Sequence, residues 1–228
     1  MRRMADRTTR EALLVEGAML FARHGVDGVT ARQLHDAIGA RNESALHYHF
    51  GGRDGLVGQI VLDHMAAIEA RRAVLVEAIV AEGRTGDLRS LVHALAAPMG
   101  DDLETPLGRA HLRVIAQVDS PALAYTRPFQ VADAPSGRSV VGWLHDALDG
   151  LPRPVRVARM AALRAQLISL FGLRAQLIDD QPPKAGRAGS HAAANGLFVA
   201  NLLDMLVAGL AVAPSAETLG TIEARTRS

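Results

Sequence analysis

Residues 30–50 decide the fold of this chain, and they read Thr-Ala-Arg-Gln-Leu-His-Asp-Ala-Ile-Gly-Ala-Arg-Asn-Glu-Ser-Ala-Leu-His-Tyr-His-Phe. The pattern predicts two short helices with a tight turn at Gly39 between them. Thr30 and Gln33 have the spacing of a capping box, which starts the first helix. Asn42 is the expected N-cap of the second helix, so the stretch predicts a helix-turn-helix.

The residues before this stretch predict a supporting helix over 7–24, which Gly25 ends. Four apolar residues have the helical spacing needed to pack the two short helices against it, namely Leu34, Ile38, Leu46 and Phe50. In helix-turn-helix proteins the second short helix enters the major groove, and its first residues meet the base edges. The architecture therefore favours DNA binding.

Four short stretches of this region follow one another in order: Phe21-Ala-Arg-His-Gly25, Val29-Thr-Ala-Arg-Gln-Leu34, Ser44-Ala-Leu-His-Tyr-His-Phe50 and Gly52-Arg-Asp-Gly-Leu56. Together they resemble the TetR family of bacterial transcriptional regulators. The stretch from Gly39 to Phe50 is one residue longer than the usual pattern and is similar to a subgroup with a longer turn. The resemblance implies a ligand-responsive regulator, most often a repressor, with a second helical domain for sensing and dimerisation.

Polar side chains at the starts of the short helices have the chemistry for contacts with DNA. The residues predicted to contact DNA are Thr30, Arg32, Gln33, Arg41, Asn42, Glu43, Ser44, His47, Tyr48, His49 and Arg53. A hydroxyl at a helix start can hold a phosphate, and Asn or Glu can read adenine or cytosine. Simpler roles stay open: a plain cap at Thr30, a helix-terminal charge at Glu43, partial burial of His49 and a solvated charge at Arg53.

The composition is that of a folded protein without redox or metal-thiolate chemistry. The 228 residues are 49% hydrophobic, contain no cysteine and carry a formal net charge of +1. That balance excludes a polybasic wrapper of nucleic acid but leaves room for a local basic patch. The N-terminus lacks the apolar run of a signal peptide, and residues 196–214 are interrupted by Asn201 and Asp204. We therefore expect a cytoplasmic protein without a membrane partner.

Helical periodicity continues through the rest of the chain. Helices are expected over residues 53–81, 87–99, 105–118 and 139–148, with a single turn at 121–125 and a loop at 127–137. Residues 154–178 and 190–211 are apolar on most faces, which predicts a four-helix interface between two copies. The predicted interface residues are Leu163, Leu167, Leu170, Phe198, Leu202, Met205 and Leu206. A central pair of core helices within one bundle is the alternative.

A small-molecule site is expected inside the second domain. The candidate lining residues are His64, Met65, Met99, His111, Phe129, Trp143 and Phe171, and their alternative role is ordinary core packing. Such a set predicts a mainly hydrophobic effector, with a histidine as the polar contact. Isolated histidines on four predicted helices give no metal-binding pattern, so no metal and no cofactor are expected.

The sequence thus predicts an all-α protein with two domains. Residues 1–52 form a three-helix helix-turn-helix domain that binds DNA, and residues 53–228 form a helical bundle for ligand sensing and dimerisation. The expected partners are a double-stranded DNA operator, a small effector and a second copy of the chain. No catalytic residues are expected. A helical enzyme or carrier without sequence-specific DNA binding is the alternative function.

Overall fold

The computed structural model describes residues 2–39, 44–118, 134–180 and 190–227, and all ten elements in these ranges are helices. They are α1 (Arg2–His24), α2 (Ala31–Ala37), α3 (Ser44–Phe50), α4 (Arg53–Ala81), α5 (Leu88–Asp102), α6 (Pro106–Val118), α7 (Pro135–Ala147), α8 (Arg153–Asp180), α9 (Ser190–Ala211) and α10 (Ala216–Arg227). The all-α prediction is confirmed. The expected N-cap at Asn42 and the expected turn at 121–125 lie outside the described residues.

Local signals account for most of the helix ends. Thr30 and Gln33 form the predicted capping box at the start of α2, with Thr30 N donating to Gln33 Oε1 at 2.8 Å. Gly25 follows α1 at φ +84°, a conformation that side chains with a Cβ rarely adopt. α4 spans the predicted residues 53–81, and Asp87, the first residue of the helix expected over 87–99, is the N-cap of α5.

Two features of the C-terminal half differ from the sequence prediction. Residues 135–137 were expected in a loop but form the first turn of α7, with Pro135 at its start. Proline is tolerated there because the first turn of a helix does not need its N–H group. α10 was not predicted, and residues 216–227 carry little periodic apolar signal.

The first apolar core joins the short N-terminal helices to α4 and α6. Its members include Leu13, Phe21, Val29, Leu34, Leu46, Leu56, Ile60, Ala110, Val114 and Val118, all almost fully buried. The predicted domain boundary at residues 52 and 53 falls inside this packing, because α4 and α6 complete the core. The two short helices α2 and α3 are therefore held directly by α4 and α6.

The second core lies among α4–α9. Leu91, Leu112, Leu144 and Phe171 are among its fully buried side chains. α4 contributes to both cores, with Ile60 in the first and Ile68 in the second. α6 also contributes to both, with Val114 in the first and Leu112 in the second, so α4 and α6 both connect the two cores.

The structure corrects the choice of interface residues on α8 and α9. Leu163, Leu167, Leu202 and Leu206 are each at most 5% exposed within one chain, so a partner has almost nothing left to cover there. Leu170 and Phe198 are half-buried, and Met205 is exposed. The apolar residues that do face outward are Val157, Leu173, Leu177, Leu197 and Met205.

α9 also corrects the expectation that no segment is long and apolar enough to cross a membrane. By length and composition, residues Ala192–Ala211 pass that test, and 28% of the window is buried within the chain. The polar interruptions at Asn201 and Asp204 do not lower its mean hydropathy enough to exclude it.

Candidate nucleic-acid interface and buried histidine cluster

One face of the two short helices is apolar and packed, and the opposite face is polar and open. Leu34 and Leu46 are buried in the first core, whereas Ser44, His47 and Tyr48 on α3 are exposed. Tyr48 exposes 74% of its surface, so its hydroxyl is available to a partner. The predicted recognition helix therefore presents hydroxyl and imidazole groups outward.

The start of α2 adds polar groups to the same part of the molecule. The Thr30 hydroxyl donates to Gln33 Oε1 at 2.8 Å, so both side chains are already engaged with each other. The simpler capping role of Thr30 is thus observed. Arg32 is exposed and lies 3.9 Å from Asp36, a contact that high exposure makes weak.

Arg53 has a structural role that the sequence did not reveal. Its Nη1 donates to Val26 O at 2.8 Å and lies 3.5 Å from Val29 O, while Nη2 pairs with Asp54 at 3.1 Å. The side chain is only 25% exposed. Arg53 therefore holds the loop between α1 and α2, and the solvated charge considered as its alternative is wrong.

His49 is half-buried, as its alternative role required, and Phe50 beside it packs on the first core. The guanidinium of Arg10 lies 5.5 Å from the centre of the Phe50 ring, a cation–π distance. The expected contacts at Arg41, Asn42 and Glu43 fall outside the described residues. Within the described part of the chain, the site thus consists of exposed polar groups on α2 and α3.

Two of the expected ligand-binding histidines meet in a buried polar cluster between α4, α5 and α6. The ring centres of His64 and His111 are 4.7 Å apart. His64 Nε2 lies 3.3 Å from Asp102 Oδ2 but has no hydrogen bond of normal geometry. Arg71 Nη2 donates to both oxygens of Asp102, at 2.8 and 3.0 Å, and its Nε is buried without a partner.

Burial sets the protonation of this cluster. It lowers the pKa of His64 to about 3, with smaller contributions from the charges of His111 and Arg71. It raises the pKa of Asp102 to about 6, although the Arg71 guanidinium opposes that shift. Burial also lowers the pKa of His111. Neutral imidazoles beside a carboxyl group can donate or accept a hydrogen bond from a neutral molecule.

The other expected ligand residues do not gather around that cluster. Met99 and Phe171 are buried in the second core, Trp143 packs against it, and Met65 is exposed. Phe129 lies outside the described residues. One cleft of about 380 Å³ opens between α1, α6 and α8, and a pocket of about 80 Å³ lies between α8 and α9. None of the expected ligand residues that the structure describes lines either space, and Met99 and Phe171 are buried in the second core.

Sequence reasoning missed Asp102, Arg71 and Gln117, which matter most for the polar geometry. Asp102 and Arg71 are 31 residues apart, and Gln117 bonds to Val26 across 91 residues, so no local motif marks these contacts. It also missed His35, which is buried on α2 with Nδ1 unpartnered. Across the described ranges no group of three or more His, Cys, Asp or Glu side chains could hold a metal ion.

Comparison with known proteins identifies the N-terminal region. Residues 13–60 match the family model of bacterial regulatory proteins of the tetR family. No curated protein matches the chain. Among solved structures, the TetR family transcriptional regulator PfmR from Thermus thermophilus aligns with a TM-score of 0.48 and 18% identity, over 82% of this chain and 97% of that one.

Proposed function

We propose that this chain is a member of the tetR family of bacterial regulatory proteins, and that it is a cytoplasmic homodimeric repressor released from its operator by a small hydrophobic effector. That it is a DNA-binding transcriptional regulator is the coarser statement that the family supports. The observation that carries the proposal is the division of α2 and α3 into a buried apolar face and an exposed polar face. Because most surface helices have an exposed polar face, the support comes from its position on the second short helix of a helix-turn-helix, the helix that enters the major groove.

The exposed groups divide into two roles by their chemistry. Ser44, at the start of α3, lies where a recognition helix meets base edges. His47 and Tyr48 are one turn further along and suit phosphate oxygens, which position the protein without reading sequence. Arg53 is proposed to add a positive charge near the backbone while keeping its bond to Val26 O.

Substitutions on α3 test these roles. Tyr48→Phe removes one hydroxyl and should weaken binding to all duplexes by about three- to tenfold, the value of one hydrogen bond. Ser44→Ala should lose discrimination at one base position, worth about 1–3 kcal/mol if that contact is direct. Titrations of both variants with duplexes selected by the wild-type protein distinguish the roles. A change of base preference in Tyr48→Phe, with none in Ser44→Ala, would show that the roles are reversed.

A second copy of the chain is the proposed occupant of the outward face of α8 and α9. α9 is anchored to its own subunit by polar groups: Arg89 pairs with Asp204 at 2.6 Å, and Arg174 donates to Asn195 at 2.8 Å. Arg159 donates to Leu210 O at 2.6 Å. Charged groups beside the helix are costly in a bilayer, whereas a dimer interface tolerates them at its rim.

The effector is proposed to enter beside His64 and His111. His64 Nε2, despite its 3.3 Å contact with Asp102, and Arg71 Nε are buried polar atoms without a hydrogen bond, which a polar group of a ligand could supply. The rest of such a ligand would be apolar, because the surrounding second core is apolar. Only a ligand with different affinities for the two states of the dimer can release the operator.

Trp143, the only tryptophan, reports on this proposal. Titration with neutral medium-chain and aromatic alcohols should change its emission and weaken DNA binding, and operator DNA should weaken alcohol binding by the same factor. His64→Leu should abolish the changes in emission and in DNA affinity, while the variant remains folded around Trp143. Alcohols that change the emission equally in wild type and His64→Leu would place the site elsewhere.

A further inference from the structure

We infer that Gln117 on α6 positions the DNA-reading helices through hydrogen bonds to the end of α1 and to the loop between α1 and α2. Its side-chain Oε1 accepts a hydrogen bond from Val26 N at 2.7 Å. Its Nε2 donates to Phe21 O at 3.3 Å, at the last turn of α1, and to Arg113 O at 3.1 Å on its own helix. One amide therefore ties α6 to the end of α1 and to the loop that follows.

The same loop residue is held from the other side by α4. Arg53 Nη1 donates to Val26 O at 2.8 Å, so both backbone polar groups of Val26 are bonded to side chains of the second domain. We call Gln117, Val26 and Arg53 the Val26 clamp. Its two anchoring side chains come from residues 27 and 91 positions away in the chain.

The loop has little freedom to accommodate a lost bond. Gly28 N donates to Gly25 O at 3.2 Å, and a Cβ at Gly28 would collide with His24 O. Val26 and Val29 are buried in the first core against α6. Thr30, the N-cap of α2, follows Val29 directly. The position of α2 therefore depends on the two side chains that hold Val26, Gln117 and Arg53.

The clamp converts movement of α6 against α4 into movement of the reading helices. Loss of the Gln117 bonds leaves a part-buried N–H group without its acceptor and frees one side of the loop. We expect α2 and α3 to sample more orientations, and only some of these fit the major groove. Gln117 is thus a positioning residue for DNA affinity, an assignment that rests on the proposed function as a DNA-binding regulator.

The test compares Gln117→Leu and Gln117→Glu in the full-length protein. Glutamate keeps an acceptor for Val26 N–H but cannot donate to Phe21 O. Gln176→Leu is the matched control, because Gln176 lines the same cleft from α8. Two quantities are measured: hydrogen exchange of the Val26 amide, and affinity for a duplex selected from a random pool by the wild-type protein.

Gln117→Leu should speed Val26 exchange and weaken DNA binding, each at least tenfold, with the dimer intact. Gln117→Glu should keep Val26 exchange within about threefold of wild type, and it decides the matter if the leucine variant does not fold. Because its second carboxylate oxygen faces Phe21 O and Arg113 O, its DNA affinity should lie between those of wild type and Gln117→Leu. Unchanged Val26 exchange in Gln117→Leu, faster exchange with unchanged affinity, or a glutamate variant as weak as the leucine one overturns the inference.

Failure of the proposed function gives a different result. In that case the wild-type protein enriches no duplex, and the positioning role falls with the DNA-binding role. If the wild type binds tightly and Gln117→Leu binds equally well, only the inference is lost. An equal effect of Gln176→Leu would show that the cleft as a whole, not the Val26 clamp, controls affinity.

Discussion

At the residue scale, His64 is a neutral imidazole held beside a carboxyl group, and its burial makes folding depend on pH. Because its pKa is lowered in the folded state, the unfolded chain binds a proton that the folded chain does not. The stabilising contribution is present above the usual pKa of 6.5 and is lost as the pH falls below it. The contribution of Asp102 to the pH dependence of stability has the opposite sign, because its raised pKa favours the folded state on acidification through about pH 6.

His64→Gln should therefore reduce the loss of stability in acid. Between about pH 7.5 and about pH 5, the lowered pKa of His64 reduces the free energy of unfolding by about 2 kcal/mol, and the variant lacks this loss. Urea unfolding of wild type and variant at both pH values measures the difference, in which the contribution of Asp102 cancels. His93→Gln, on an exposed part of α5, is the control. Equal acid losses in wild type and His64→Gln would contradict the assignment.

At the element scale, a side chain of α4 caps the first turn of α7. Glu69 accepts hydrogen bonds from Ser136 N at 2.5 Å and Gly137 N at 3.3 Å, which satisfies free N–H groups of the first turn. The same carboxylate pairs with Arg72 at 2.8 Å, and both side chains are largely buried. Arg72 in turn donates to Ala94 O, so one ion pair joins α4, α5 and α7.

Glu69→Gln should destabilise the protein by about 3 kcal/mol, because it leaves a buried guanidinium without its counter-charge. Thermal and urea unfolding measure the loss. Glu77→Gln makes the same change on an exposed face of α4 and should have almost no effect. A loss below about 1 kcal/mol in Glu69→Gln would mean that solvent already screens the pair.

The same contact explains what could and could not be read from the sequence. The ends of α1, α2 and α4 follow from Gly25, the Thr30 capping box and Gly83, which act within a few residues. The start of α7 was missed because its capping group comes from 67 residues earlier in the chain. The buried histidine cluster was half predicted, since His64 and His111 stood out as polar residues on apolar helices while Asp102 had no local mark.

At the scale of the whole molecule, α8 and α9 have an inner and an outer apolar face. Periodicity revealed that both helices are apolar, but only packing shows which leucines point inward. Leu202 is 2% exposed whereas Leu197 is 72% exposed on the same helix. The predicted interface residues were therefore drawn partly from the core of one subunit.

The double substitution Leu197→Glu with Met205→Glu should yield a folded monomer, because both side chains leave the core intact. Leu202→Glu should instead unfold the chain, since it buries a charge. Sedimentation gives the mass, and circular dichroism gives the helical content. A dimer that survives the double substitution at micromolar concentration would move the interface away from this face.

The length of α4 has a further consequence. Its 29 residues span about 43 Å at 1.5 Å per residue, and its N-terminal end packs against α3. A tilt of about five degrees at one end carries the other end through about 4 Å, slightly more than the roughly 3.4 Å rise of one base pair. Under the proposed function, an effector that tilts α4 by this angle about its C-terminal end should move each reading helix by about one base-pair step, and the two half-sites of an operator should then fall out of phase with the protein.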